Sequence, residues 1–303
     1  MCLFIFILIV ILIISLRFQR SIDVKYLTKD DLIKYGNVNG SRKRIPRLIH
    51  QTYETLNIPP IWNKSIQSIL ETNSKDFQYI QWTHKQMKFF VKKHEPKFYH
   101  QTYVHYKYEM QRIDSFRYVL MYHLGGIYLD MDNGCNYPLE SLLTTIETLN
   151  PNSTFLVLFP QEDTFGIQTD FIVSTAKHPI FRQFISNLHS FNHYYILHHL
   201  TILLSAGPLF ATFQERFFRQ TNEEIVRILQ NQVYKSIFWK TNGGSWFGRD
   251  TLIILFLYYN RFTIFKYFLI IFLVFLILFK RRQIKFSFYF FQRIFLQWQN
   301  KIR

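Results

Sequence analysis

The chain has 303 residues, room for one domain plus extra segments, and its 36 Lys and Arg against 20 Asp and Glu give a formal net charge of +16. That balance fits an anionic partner such as a nucleotide-sugar, a lipid phosphate or a membrane face, while no arginine-rich arm, zinc-ligand spacing or helix-turn-helix signature points to nucleic acid. Two cysteines, one of them Cys2 in an apolar run, exclude a disulfide framework.

Leu3 to Leu16 is an unbroken run of apolar residues and Ser ended by Arg17. It is shorter than a comfortable span of about 20 residues. No small-x-small cleavage site follows, so residues 1–19 are read as an uncleaved signal anchor and residues 20–43 as a stem. Ile45–His50 is a strand candidate, and Pro59-Pro60 marks a turn and the start of a helix that carries Ile61, Trp62, Ile66, Ile69 and Leu70 at helical spacing. Phe77–Trp82 reads as a second strand, with Thr83 capping a helix from His84 to Lys93. A longer helix is predicted over Tyr108–Leu124, ended by Gly125 in the left-handed conformation that glycine takes cheaply.

Strand Ile127–Asp130 follows, then strands over Phe155–Phe159 and Thr169–Val173. His178-Pro179 opens an amphipathic helix to about Phe191, and Pro208 sits in the first turn of a helix reaching Phe218. Strands alternating with helices predict an α/β domain over residues 44–250 with a mixed, mainly parallel sheet flanked by helices. Tyr267–Phe279, extended past Lys266 by Phe262–Ile264, reads as a second membrane segment within residues 251–280. Lys280-Arg281-Arg282 closes it, which places the tail 281–303 in the cytosol and residues 20–250 in the lumen. Arg17, Arg20 and Lys25 argue the opposite way for the first segment. Sequons at Asn39, Asn63 and Asn152 agree weakly with a lumenal domain.

The candidate chemistry centres on Gly125-Gly126-Ile127-Tyr128-Leu129-Asp130-Met131-Asp132. Side chains alternate along an extended chain, so Asp130 and Asp132 are expected on one side. Two hard carboxylates there suit Mg²⁺ or Mn²⁺ with a diphosphate as co-ligand. Asp114 and Arg117 share a helix face, Arg117 suited to phosphate or sugar oxygens and Asp114 to sugar hydroxyls. His50-Gln51-Thr52 lies beyond the end of the first strand, where nucleotide ligands bind in such sheets. The loop Ser205-Ala206-Gly207-Pro208 offers close backbone approach at Gly207. In the loop Gly243–Asp250, Ser245 or Asp250 is a candidate to complete the metal shell, and Trp246 to cover the donor. Asp170 is a candidate to face the acceptor or the reacting carbon.

Ile45-Pro46-Arg47-Leu48-Ile49-His50-Gln51-Thr52, then Arg112-x-Asp114-x-x-Arg117-Tyr118, then Gly-Gly-Ile-Tyr-Leu-Asp130-x-Asp132 resemble the DXD-containing glycosyltransferases of family 32. The Asp-Asn-Gly-Cys ending, Ser205–Phe210 and the Gly-Gly-Ser-Trp block resemble most closely the fungal inositol phosphoceramide mannosyltransferase branch. The resemblance spans roughly residues 44–250. It implies a GT-A fold, GDP-mannose as donor, a Mn²⁺-type ion held through Asp130 and Asp132 of the DXD motif, with Asp250 the candidate third ligand named above, and retention of configuration. Tyr128 of the motif joins His50, Gln51, Thr52, Asp114, Arg117, Gly207, Ser245 and Trp246 as donor-binding residues, with Asp130, Asp132, Arg117 and Asp170 carrying catalysis. The implied acceptor is the inositol headgroup of an anionic sphingolipid in the Golgi, with room for a small regulatory membrane subunit. Gly244 and Phe247 depart from the Ser and His usual in that block. The alternatives left open are a mannosyl- or galactosyltransferase acting on a glycan, or an inactive regulatory paralogue.

Overall fold

The computed structural model describes residues 24–38, 42–163, 166–221, 226–241, 252, 256, 259–260 and 262–272. The chain divides into two compact units, one of Ser21–Thr251 and one of Met1–Arg20 with Leu252–Arg303. In the second unit residues 262–272 are helical, with Phe262, Tyr267 and Ile271 exposed. No helix among the described residues is long and apolar enough to cross a membrane. The run Leu3–Leu16, residues 273–279 of the C-terminal segment and the basic tail lie outside the described residues.

The first unit is built on nine described strands: β1 Lys25–Leu27, β2 Leu48–Tyr53, β3 Gln78–Thr83, β4 Gly126–Leu129, β5 Asn133–Cys135, β6 Val157–Pro160, β7 Phe171–Ser174, β8 Val226–Leu229 and β9 Phe238–Lys240. Seven form one sheet in the order β1-β8-β6-β7-β4-β2-β3, and β5 pairs with β9 in a small antiparallel ribbon. The large sheet is parallel except at β7, which runs against both β4 and β6. This is the mixed, mainly parallel sheet that the strand–helix alternation predicts.

Alternation along the strands splits the core in two. Ile127 and Leu129 of β4 face one layer together with Ile49, Leu158, Phe171 and Val173. Tyr128 faces the other with Val157, Phe159, Ile172 and Ile228. Helices Asn63–Asn73, Glu140–Leu149 and Asn231–Ile237 supply Ile69, Leu142, Ile146 and Val233 to the first layer. Helices His84–His94, Glu109–His123, Pro179–Phe191 and Pro208–Thr221 supply Phe90, Phe116, Phe181 and Phe210 to the second. Strands buried on both faces read as continuous apolar runs, as β4, β6 and β7 do.

Several local expectations are met with shifted edges. Thr83 caps the helix His84–His94 in a reciprocal box with Gln86. The long helix covers Glu109–His123. Gly125 and Gly126 have φ of +65° and +93°, and a Cβ at Gly125 would stand 2.5 Å from the Ala176 amide nitrogen. The glycine pair therefore both ends the helix and lets β4 enter the sheet between its neighbours. The predicted stem is partly folded: Thr28 caps a helix over Lys29–Tyr35, and β1 pairs with β8 at the sheet edge. Three residues of strand give too short a period to be read from sequence.

Candidate active site

The motif follows β4 as a turn, not as continued strand. Extended alternation is therefore not what brings Asp130 and Asp132 together. The turn is held at each carbonyl. The Asp130 carbonyl accepts from the Asn133 amide at 3.2 Å and from Gln51 Nε2 at 3.1 Å. The Met131 carbonyl accepts from Ser65 Oγ at 2.6 Å. The Asp132 carbonyl accepts from the Thr241 amide at 2.8 Å. With the backbone fixed from three elements, both carboxylates line one cleft.

Two polar networks meet there. On one side Arg117, buried, pairs with Asp114 at 2.8 Å and reaches Asp130 Oδ1 at 3.5 Å. Its Nη1 donates to the Thr169 carbonyl at 2.6 Å, and its guanidinium lies 4.8 Å from the centre of the Tyr128 ring. The Tyr128 hydroxyl donates to Asp130 Oδ1 at 2.8 Å. On the other side Asp170 Oδ2 accepts from Tyr234 at 2.6 Å and from Asn133 Nδ2 at 3.3 Å, and pairs with Lys240 at 2.6 Å. Among the described residues the buried Asp114 Oδ2 and Asp170 Oδ1 meet no hydrogen-bond partner.

The electrostatics follow from this crowding. Burial pushes Asp114 up to about 7 despite Arg117. Burial, with repulsion from Asp132 and Asp170, pushes Asp130 up to about 6. Burial and Asp170 raise Asp132 against the pull of Lys240. The burial that would lower Lys240 is outweighed by Asp170, Asp132 and Asp130.

The cleft encloses about 570 Å³. Its carboxylates outnumber its cations: Asp114, Asp130, Asp132, Glu162, Asp163 and Asp170 face it with Arg117, Lys235 and Lys240. Among the described residues no set of three His, Cys, Asp or Glu is already arranged around a metal. The donor chemistry nevertheless fits a hard cation: Asp130 and Asp132 are hard oxygen donors whose mutual repulsion a positive charge would relieve.

The candidate residues separate into groups. Asp114, Arg117, Asp130, Asp132 and Asp170 come together at the cleft. His50 and Gln51 are fully buried instead. Trp82 donates to His50 Nδ1 at 3.2 Å, which leaves Nε2 to donate to the Gly125 carbonyl at 3.0 Å. Burial holds this imidazole neutral, near 4. Thr52 meets the Tyr128 hydroxyl at 3.0 Å. These three brace β4 and its turn rather than line the cleft. Gly207 backs onto Asp114, where an added Cβ would lie 3.2 Å from Oδ2. Ser245, Trp246 and Asp250 lie outside the described residues. Tyr234 and Lys240 carry no sequence signal, whereas Asn133 sits in the Asp-Asn-Gly-Cys ending.

Residues 59–156 match the family described as the glycosyltransferase sugar-binding region containing the DXD motif. The chain is 32% identical over 268 residues to inositol phosphoceramide mannosyltransferase 1 of Schizosaccharomyces pombe, covering 85% of this chain and 81% of that protein. It is 34% identical over 209 residues to mannosyl phosphorylinositol ceramide synthase SUR1 of Saccharomyces cerevisiae, covering 67% of this chain and 52% of that longer protein. Among solved structures it is similar to the PaToxG glycosyltransferase, with a TM-score of 0.43, 16% identity and coverage of 63% of this chain and 73% of that one.

Proposed function

The chain belongs to the DXD glycosyltransferases, in the family of the inositol phosphoceramide mannosyltransferases, and from that premise we propose that it transfers mannose from GDP-mannose to the inositol headgroup of inositol phosphoceramide. The observation that carries the reading is the convergence of Asp130, Asp132 and Asp170 with Arg117 on one cleft. We further propose a GT-A fold, retention of configuration, and a Golgi setting with the domain lumenal and held at the membrane by its flanking segments. The strand-to-turn placement of the motif supports the fold, and the runs of flanking apolar residues support attachment to the membrane.

On this reading Asp130 and Asp132 hold Mn²⁺ or Mg²⁺. When bound, that cation supplies positive charge to the donor diphosphate as the leaving group departs. The other roles belong to side chains. Arg117 is buried against Asp114, Asp130 and the Thr169 carbonyl, so it orients Asp130 instead of gripping phosphate as a fork. Tyr128 fixes the same carboxylate through its hydroxyl. Asp170 is clamped through Oδ2 by Tyr234, Asn133 and Lys240, which fixes its negative charge at the wall of the cleft, where positive charge develops on the sugar. The intact cluster gives no support to an inactive paralogue.

The test is transfer from a panel of nucleotide-sugars to inositol phosphoceramide by detergent-solubilised protein, with and without Mn²⁺. Mn²⁺-dependent transfer from GDP-mannose, absent in Asp132→Ala, is expected. Transfer from another donor, or transfer that survives Asp132→Ala, would overturn the assignment.

A further inference from the structure

A second surface, unused by the catalytic cleft, lies on the helix His84–His94. Its sequence, His-Lys-Gln-Met-Lys-Phe-Phe-Val-Lys-Lys-His, contains no acidic residue. At 3.6 residues per turn Met87, Phe90 and Val91 fall on the inner face and are buried. Lys85, Lys88, Phe89, Lys92 and Lys93 fall on the opposite arc, and all five are exposed. Phe89 is 68% exposed. Beside it a hollow of about 510 Å³ is walled by Trp82 and Phe90, with Lys85 and Lys93 also lining it.

Lys92 lies 5.9 Å from the centre of the Tyr99 ring. Among the described residues none of Lys85, Lys88, Lys92, Lys93 and Lys97 makes an ion pair with a carboxylate. The adjacent Glu95 is already held by both guanidinium nitrogens of Arg182 at 2.9 Å and by His123 at 2.9 Å. A prominent phenylalanine ringed by lysines that no carboxylate neutralises suits an anionic bilayer surface. The ring enters the boundary between headgroups and acyl chains, while the ammonium groups stay level with the phosphates on flexible stems. Strands β2, β3 and β4 are parallel, so this helix starts at the same sheet edge from which β4 delivers the Asp130 turn.

We propose that the Lys85–Lys93 face is a membrane-docking surface that seats Phe89 in an anionic lipid leaflet. The proposal goes beyond the transferase assignment and does not depend on which lipid accepts the sugar.

The test uses the full chain in nanodiscs of phosphatidylcholine, alone or mixed with phosphatidylinositol. A polarity-sensitive fluorophore is placed at Phe89→Cys in a Cys2→Ser background, Cys135 being buried. The expected result is a blue shift, with quenching by brominated acyl chains, in the anionic discs. The same label at the exposed Gln67 should keep its water-like emission. Replacing Lys85, Lys88, Lys92 and Lys93 together by Gln should abolish the difference between the two kinds of disc while GDP-mannose turnover in detergent stays unchanged. Water-like emission at position 89 in both discs, an equal shift at Gln67, or a shift that survives the lysine replacements would each overturn the proposal.

Discussion

Asp170 lies directly across the sheet from Asp130: the Asp130 amide donates to the Asp170 carbonyl at 2.8 Å, one step beyond the Leu129–Phe171 pair. The antiparallel run of β7 against β4 causes this, because the residue before one strand must oppose the residue after the other. A carboxylate 40 positions away in sequence is thereby added to the Asp-x-Asp pair. The site is an acidic cluster held together by Lys240, Arg117 and a set of hydroxyl and amide donors.

Removing one member of that cluster should uncouple activity from stability. Asp132 is partly exposed and is repelled by Asp170. Asp132→Asn should lower cation-dependent donor turnover about 100-fold or more, since outer-shell changes alone cost 10–100-fold at metal sites. Its melting temperature without cation should stay level or rise, because burial and Asp170 together disfavour this charge more than Lys240 favours it. A fall in melting temperature would mean that Asp132 is structural.

Arg117 should behave in the opposite way. It is buried with Asp114, and its removal leaves Asp114 and Asp130 without their nearest cation. Arg117→Met should cost about 3–5 kcal/mol, as breaking a buried pair does. Adding Asp114→Asn should recover part of that loss, a coupling that a double-mutant cycle on thermal or denaturant unfolding reads directly. Additive losses would show that the pair is not the stabilising unit.

The parts of the site legible in the sequence are those written in local chemistry. The glycine pair, the Asp-x-Asp spacing, the i, i+3 placement of Asp114 and Arg117 and the Thr83 cap each follow from neighbours in the chain. Register does not. Nothing local places Asp170 opposite Asp130, or brings Tyr234 and Lys240 to Asp170, because the antiparallel pairings of β7 with β4 and of β9 with β5 decide both. His50 and Gln51 stand at a strand end where ligands usually bind, but Trp82, Tyr79 and the turn after β4 take up their polar atoms. The short β1 was illegible for a different reason: its stability comes from pairing with β8, not from a pattern of its own.

The glycine pair supplies a backbone test. Gly125→Ala would hold an L-residue at φ +65°, at about 1–2 kcal/mol, and would press its Cβ against the Ala176 amide nitrogen at 2.5 Å. The total loss should exceed ~2 kcal/mol in unfolding measurements, and donor turnover should fall with it as β4 shifts against β7. An alanine variant with wild-type stability would show that the strand can enter the sheet by another path.

Cation binding and pH should be linked through the same carboxylates. Asp114 and Asp130 are raised to about 7 and about 6 in the folded protein, against about 3.9 in an unfolded chain. Between those limits the native state holds protons that the unfolded state has released, so their contribution to stability falls as pH rises and levels off above about 7. His50 and His178, held neutral near 4 and near 3 by burial, act in the opposite sense below about 6.5. The carboxylate effect is therefore read as a difference: between pH 5 and pH 8 the melting temperature of Asp114→Asn should gain on that of the wild type. On the proposed reading, in which Asp130 ligates the cation, Mn²⁺ displaces the proton of Asp130, so the rise in melting temperature on adding Mn²⁺ should be larger at pH 8 than at pH 5.5, and Asp130→Asn should lose both the rise and its pH dependence. A Mn²⁺ effect that is equal at both pH values in the wild type would place the cation away from Asp130.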